Sequence, residues 1–328
     1  MNRWTQVILF ALVALGTRWA AGSERAAREL FRDALVASGA AASEFEGTLQ
    51  RWRQQLEAEC VEDHVQLFRF LHDRVLTGDY QTDCSCLDET LRTGNYNCVT
   101  ATILYMVLCD ARQIETTAIA AGAHVFCRLA ATDADVQTTC SAWFSQEFPP
   151  QFDEPRRALT RAQLVAKIYY NRGIQQLAHG RYAEAIDLFN TSIHLDPDDS
   201  FTRNNRAAAY NNWALALADT SEYASAVARI RRGLTYDPGF EPLLANDLHV
   251  HQLWLTSLCD QHDFARAIDV LQRAGDRRPD AAFFKQGQVE VYRRWAETLL
   301  SAGKVDEAER IVNLARELLR QTSTTGST

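Results

Sequence analysis

The sequence has little that would mark a disordered, fibrous or nucleic-acid-binding chain. Only 7 of its 328 residues are proline and 15 are glycine, which excludes a collagen-like or low-complexity sequence. The 34 basic residues are outnumbered by 42 acidic ones, so the net charge is −8. Such a chain carries no basic footprint for nucleic acid or for an anionic membrane surface. The 47% of hydrophobic and 23% of charged residues instead predict a globular protein.

The apolar run at the N terminus is too short for a membrane-spanning helix, which needs roughly 20 residues. Arg3 is followed by an apolar run over 7–15, then by Arg18 and the small residues of 20–22. This order is typical of a signal peptide. No cysteine follows that could carry a bacterial lipoprotein anchor. We predict a signal peptide over 1–22 and an exported protein, periplasmic or extracellular, with an uncleaved membrane anchor as the alternative.

Cysteine is absent from the first 59 residues, and seven of the eight cysteines lie between 60 and 140. In an oxidising compartment some of them would pair. The candidates for a disulfide are Cys60, Cys84, Cys86, Cys127 and Cys140. The alternative is that they stay reduced and pack as small hydrophobic residues. A lone C-x-C pair is not a typical zinc site, so we predict neither a metal nor a cofactor.

From position 169 onward the sequence repeats itself with a strict period of 41 residues. The aligned segments begin at 181, 222, 263 and 304, and each ends on an alanine. Tryptophan recurs at the same spacing, at Trp213, Trp254 and Trp295. We interpret this column as packing between helices. A repeat of this kind predicts a stack of helical units, each of which buries its apolar face against its neighbours.

The first unit carries a family resemblance. The tetratricopeptide repeat has a small residue, an alanine, a phenylalanine and a proline at four fixed positions. The corresponding residues of this sequence are Gly173, Ala185, Phe189 and Pro197. The units therefore resemble tetratricopeptide repeats, although they are longer than that family's 34 residues. The resemblance implies an all-α array of four units over 166–320, with a concave face that recruits a protein or peptide partner. The polar residues 321–328 predict a disordered tail.

The region between the leader and the repeats has a mixed pattern. Helical periodicity dominates 23–76, a loop-like composition follows over 77–97, and 98–112 is apolar nearly all round, as in a buried helix. Three short β-like runs come next, at 116–120, 124–129 and 135–139. This order predicts a compact α+β domain over 23–150. Prolines at positions 149, 150 and 155 predict a linker over 151–165.

Candidate catalytic residues lie at the start of the buried helix and on two strands. Cys98 follows a polar loop directly, and the helix dipole with its unpaired N–H groups favours a nucleophilic thiolate there. His124 is a candidate general base, and Asp135 could orient its imidazole. The backbone N–H of Cys98, with a second donor from Asn97 or Tyr96, is a candidate oxyanion hole.

The motifs around these residues carry a second resemblance. They are Gly-x-x-Asn-Cys-x-x-Ala-Thr-x-Leu-Tyr at 94–105, His-Val-Phe-x-Arg-Leu at 124–129 and Asp-Val-x-Thr-Thr at 135–139. With them, about 67–143 resembles the transglutaminase-like superfamily, in the branch named for the SirB1 N-terminal domain. The resemblance implies a papain-like α+β fold and a triad of Cys98, His124 and Asp135. A turn signal at 132–133 leaves a bulge, or Asp133 in place of Asp135, as open alternatives.

Two hypotheses of function follow. In the first, an exported transglutaminase-like protein uses Cys98 to hydrolyse or transfer an amide or isopeptide bond, as a cysteine peptidase, amidase or acyltransferase. Its tetratricopeptide-like units would recruit a protein or peptide partner. In the second, the chain is a non-catalytic scaffold that acts through protein–protein interaction, and its transglutaminase-like domain is degenerate.

Overall fold

The computed structural model describes residues 22–141 and 155–324. The predicted signal peptide lies outside these residues except for position 22, as do the prolines at 149 and 150. The chain divides into two compact units, 1–206 and 207–328. Each unit is described by itself below.

The N-terminal part of the first unit is mainly helical. Its helices are α1 (22–38), a 3₁₀ helix (Ala42–Phe45), α2 (Thr48–Ala58), α3 (His64–Phe70) with a π-helical turn (Leu71–Val75), α4 (Leu87–Thr93) and α5 (Cys98–Ala111). Apolar side chains from these helices share one core cluster with the strands. The helical periodicity over 23–76 thus corresponds to helices whose apolar faces meet in this core.

α5 lies at the centre of the first unit. Its N terminus is capped by Asn97, whose side-chain oxygen accepts from the N–H groups of Val99 (2.9 Å) and Thr100 (3.0 Å). The Thr100 hydroxyl accepts from the Asn97 N–H in return. This capping box satisfies N–H groups that have no partner inside the helix. Every residue from Cys98 to Asp110 is buried, as the all-round apolar pattern predicts.

A four-stranded antiparallel sheet packs against α5, in the order β3-β2-β1-β4. The strands are β1 (Thr116–Ala121), β2 (His124–Leu129), β3 (Asp135–Val136) and β4 (Arg156–Leu159). The odd-numbered residues of β2 lie in the core that contains α5. Because side chains alternate along a strand, the even-numbered residues of β2 lie on the opposite face. β4 lies within the predicted linker over 151–165, so part of that segment is a strand and not a linker.

The first repeat belongs to this same unit. It consists of α6 (Arg161–Ala178) and α7 (Tyr182–Leu195). Three apolar residues of α6 lie in the core cluster around α5: Leu164, Val165 and Ile168. Arg161 also donates to both carboxylate oxygens of Asp110, near the end of α5 (2.6 and 2.8 Å). The compact unit therefore extends to 206, beyond both the predicted domain over 23–150 and the predicted linker over 151–165.

The second unit is a run of antiparallel helices. They are α8 (Ser200–Asp219), which begins in the first unit, α9 (Tyr223–Tyr236), α10 (Glu241–Asp260), α11 (Phe264–Arg277), α12 (Ala282–Ser301) and α13 (Val305–Thr324). The first helix of each pair has 20 residues, whereas α9 and α11 have 14. The additional length of the repeat thus lies in its first helix. Residues 321–324, predicted to be disordered, are helical.

Candidate functional site

Cys98 lies where the sequence predicts it, at the first position of α5. A cavity of about 220 Å³ lies beside it, within the first unit. The residues around the cavity include Tyr80, Val125, Lys167, Tyr170 and Phe201. Cys98 therefore lines a partly open cavity between the α5 N terminus, β2 and the first repeat.

The surroundings of Cys98 do not favour its thiolate. Only 8% of the residue is exposed. Burial raises the pKa of the Cys98 thiol, and the lowering effects of the backbone at Val125, Cys98 and Val99 and of the Lys167 charge are smaller. A thiol with a raised pKa is protonated at neutral pH, and the thiolate is the nucleophilic form. Burial of Cys98 therefore opposes the activation expected at a helix N terminus.

His124 lies on the other face of the sheet. Its neighbour Val125 lines the cavity beside Cys98, so alternation along β2 directs His124 away from that cavity. The His124 ring stacks on Phe126, with 6.1 Å between ring centroids. Its Nε2 lies 3.0 Å from the side-chain oxygen of Gln137, to which it donates in the matching tautomer. The structure thus gives His124 a glutamine partner, which the sequence reasoning missed.

Asp135 is held by two arginines. Its carboxylate accepts from Arg128 and from Arg156, each at 2.7 Å. The register places Asp135 opposite Arg128, four residues along β2 from His124. At about 3.3 Å per residue, that offset is roughly 13 Å along the strand. The expectation that Asp135 orients His124 is corrected, because β4 delivers Arg156 to the carboxylate and the turn sets a different register.

The alternative carboxylate, Asp133, does not take the role predicted for Asp135. Its side chain is 85% exposed and lies 3.6 Å from Arg128. The residue has a positive φ of 56°, as a residue in a tight turn often does. Asp133 therefore lies in the turn between β2 and β3, in a backbone conformation typical of tight turns.

The two predicted oxyanion donors are already occupied. The N–H of Asn97 donates to the Thr100 hydroxyl, and its side-chain oxygen caps α5. Tyr96 donates its N–H to the carbonyl of Asp79 (3.2 Å) and its hydroxyl to the carbonyl of Thr139 (3.5 Å). Asn97 also lines the cavity beside Cys98, and its side-chain amide donates to the carbonyl of Thr82 at 3.5 Å.

A buried ion pair on the cavity wall was not predicted. Lys167 Nζ lies 2.9 Å from Asp199 Oδ2, which also accepts from the Thr202 hydroxyl at 2.6 Å. Burial opposes ionisation of Asp199, but Thr202, Lys167 and the backbone at Phe201 outweigh it and hold its pKa below the ordinary value. One signal existed in the sequence: a lysine within the apolar stripe that runs along α6.

The eight cysteines are all thiols in the structure. The predicted disulfide among Cys60, Cys84, Cys86, Cys127 and Cys140 is therefore not formed. Cys109 and Cys127 are fully buried in the apolar core, and Cys84 donates to the carbonyl of Asn95 (3.2 Å). Four of the eight thiols, those of Cys98, Cys109, Cys127 and Cys259, pack in apolar core clusters as the alternative interpretation expects.

The described residues contain no cluster of three His, Cys, Asp or Glu side chains that could hold a metal ion. None of the described helices combines the length and the apolar character that crossing a bilayer requires.

The second unit has a groove of its own between α10 and α12. Its volume is about 300 Å³. Buried Leu255 and Val291, with half-buried Phe283, form an apolar floor. The exposed amides of Gln252 and Gln286 form part of a polar rim, which also includes Thr256, Glu290 and Arg294. Such a groove suits an apolar side chain flanked by polar main-chain groups.

Residues 166–199 match the tetratricopeptide repeat family. The match begins in α6, covers α7 and ends just before α8, so it corresponds to the first helix pair. The later pairs repeat it at the 41-residue period. The match supports a protein-interaction module. Among the curated proteins, no sequence matches the chain.

Several solved structures are similar over about half of the chain. A MamA structure (MSR-1) has 20% identity, covers 48% of this chain and 78% of its own, and gives a TM-score of 0.19. BtubC (BKLC) from P. vanneervenii has 16% identity, coverages of 51% and 67%, and a TM-score of 0.21. A kinesin light chain from Podospora anserina with nearly identical TPR-like repeats has 12% identity, coverages of 49% and 77%, and a TM-score of 0.19. These TM-scores are too low to support an inference about function.

Proposed function

We propose that the chain is a protein-interaction protein, and that its second unit binds a peptide segment of a partner in the groove between α10 and α12. The observation that carries this proposal is the repeat itself: a tetratricopeptide match over 166–199, continued at a constant period into the second unit. Stacked helix pairs leave extended surfaces on which partners bind.

The chemistry of the groove suits an extended peptide. The apolar floor of Leu255, Phe283 and Val291 can bury one apolar side chain. Gln252 and Gln286 stand on neighbouring helices, and an amide both donates and accepts. They can therefore pair with the N–H and C=O groups of a peptide main chain. The volume of about 300 Å³ is at the lower end for small-molecule pockets, which favours a side chain over a larger ligand.

Paired charge substitutions test the groove. The full-length protein and its Gln252→Arg/Gln286→Arg variant are used to capture partners from cells of the source organism, and the captured proteins are compared by quantitative mass spectrometry. The control is Gln272→Arg, which makes the same change at an exposed position of α11. We expect the groove variant to lose partners that the control retains. Identical sets for both variants would contradict the proposal.

A second candidate function is thiol acyl transfer, the hydrolysis or transfer of an amide or isopeptide bond by Cys98. One observation favours it: Cys98 begins α5 and faces a cavity. The raised pKa of Cys98, the Gln137 partner of His124 and the two arginines on Asp135 favour the scaffold instead. If His124 acts as a base, His124→Ala will slow alkylation of Cys98 at neutral pH. An unchanged rate would remove this candidate.

We also propose that the protein is exported by its leader. The support is the order of charged, apolar and small residues over 1–22. Intact mass and N-terminal sequencing of the protein from its native cells test this. A mature N terminus near position 23 is expected, and an intact leader would support membrane anchoring instead.

A further inference from the structure

The last described helix, α13, has a face whose equivalent in α11 is covered by the next helix. In α11, the residues on the face toward α12 are spaced four and three positions apart: Phe264, Ile268, Leu271 and Gly275. Phe264 stacks on Trp295 of α12, with 5.9 Å between centroids. Leu271 and Gly275 approach Gly287 and Phe284 of the same helix. One period later, this face of α13 consists of Val305, Glu309, Val312 and Arg316, and the spacing continues to Leu319. We call these five residues the α13 stripe.

Residues of the α13 stripe are more exposed than the equivalent residues of α11. Phe264 is 4% exposed, whereas Val305 in the same column is 53% exposed. Leu271 is fully buried, whereas Val312 is only partly buried. Leu319 is 50% exposed. Val305 and Leu319 are therefore exposed on this face, whereas Val312 packs partly against the apolar cluster of Ala296, Ala308 and Ile311.

Two charges interrupt the stripe, and both are specific to the last unit. The column of Glu309 holds Ile186, Val227 and Ile268 in the earlier units, and the column of Arg316 holds Ile193, Leu234 and Gly275. The two charges have opposite signs and lie seven residues apart, on either side of Val312. Neither forms an ion pair within the described part of the chain. Arg316 donates to the side-chain oxygen of Asn313 at 3.4 Å.

We propose that the α13 stripe binds the same stripe of a second copy of this chain, with the two helices antiparallel. A twofold axis at Val312 sets Val305 of each copy opposite Leu319 of the other. It also brings Glu309 of each copy to within one residue, roughly 1.5 Å along the helix, of the level of Arg316 of the other. The surface is thus self-complementary, as an isologous dimer interface requires. Its alternating spacing of four and three residues is that of helices that pack side by side.

The charges select this occupant and this orientation. In a parallel pair, Glu309 would face Glu309 and Arg316 would face Arg316, and like charges in contact are unfavourable. A face that only contacts water does not require an acid on one side of an apolar residue and a base on the other. The antiparallel second copy satisfies both charges and covers the exposed apolar ends.

Charge reversal and its rescue test the dimer. Sedimentation equilibrium of the full-length chain at low ionic strength measures the dimer dissociation constant, since surface ion pairs are screened by salt. Glu309→Arg and Arg316→Glu should each raise this constant by about tenfold or more, because each creates two like-charge contacts per dimer. The double variant Glu309→Arg/Arg316→Glu restores both pairs with reversed signs, so it should return to within about threefold of the wild type.

Matched controls are available on the same helix. Glu307→Arg and Arg310→Glu make the same reversals on the far side of α13, since 3.6 residues complete a turn, and should leave the constant unchanged. A chain that stays monomeric at about 0.1 mM, a concentration that populates even weak dimers, would overturn the proposal and leave the face to solvent or to a helix of another protein. A dimer that the double variant does not rescue would also overturn it. Folding of each variant is checked by circular dichroism.

Discussion

At the scale of single residues, the Lys167–Asp199 pair is the most consequential feature beside Cys98. Both side chains are buried, so removing one charge leaves the other uncompensated. We expect Lys167→Met to lower the free energy of unfolding by about 3 kcal/mol at pH 7. Urea unfolding followed by circular dichroism measures this change. The control Arg273→Met removes a largely exposed ion pair with Asp269 and should change stability little.

The cost of Lys167→Met should depend on pH. The folded-state pKa of Asp199 lies below its ordinary value, so the stability gained from its ionised form is present above about pH 4. That stability is lost as the pH falls through the folded-state pKa. The variant and the wild type should therefore converge in unfolding free energy as the pH falls below about 4 and Asp199 becomes protonated. A gap that stays constant between neutral and acid pH would contradict this assignment.

The sequence located single residues better than it located their partners. It placed Cys98 at a helix N terminus because a polar loop precedes an apolar run, and both signals are local. It could not give the partner of Asp135, because Arg156 arrives on β4 from a segment that reads as a linker. It likewise missed Gln137 beside His124, since only the register of β2 and β3 brings those side chains together.

At the scale of elements, the close approach within a helix pair makes a sharp prediction. A Cβ at Gly173 in α6 would lie 2.5 Å from the ring of Phe189, which is fully buried in α7. We expect Gly173→Ala to destabilise the protein by about 1–3 kcal/mol through overpacking, despite the better helix propensity of alanine. Thermal unfolding measures the effect.

Gly275 in α11 supplies the matched control. A Cβ there would meet Phe284 at 3.5 Å, an ordinary contact. Gly275→Ala should therefore be neutral or stabilising by up to about 1 kcal/mol, the helix propensity difference. If both substitutions changed stability equally, close packing of Gly173 on Phe189 would not be the cause.

The elements were largely predictable where their patterns are local. The predicted strands at 116–120 and 124–129 correspond to β1 and β2, and the period of 41 residues placed the helix pairs. The sequence pattern did not predict β4, because this strand has only four residues and pairs with a strand that is distant in the sequence. The third predicted strand is shorter than expected, with two residues in β3.

At the scale of the whole molecule, the first repeat is part of the first unit, and hydrogen exchange can test this. Leu164→Ala in α6 removes a fully buried side chain from the core around α5, at a cost of about 2–5 kcal/mol. Exchange should then increase in α5 and β1 as well as in α6. The control Leu271→Ala, equally buried in α11, should increase exchange among α10, α11 and α12. If the Leu164→Ala variant showed increased exchange in the repeats alone, the predicted division into a domain over 23–150, a linker over 151–165 and a separate repeat array would hold instead.

If the protein acts by binding a partner, Cys98 is a buried, protonated thiol. The pH profile of iodoacetamide alkylation, resolved by peptide mass spectrometry in the native wild type, measures the state of this thiol. Because burial raises the pKa of Cys98, its alkylation should be slower than that of exposed Cys60 at neutral pH, keep rising with pH beyond pH 9, and accelerate on denaturation. A Cys98 rate that levels off below neutral pH and falls on denaturation would contradict the account and establish an activated nucleophile.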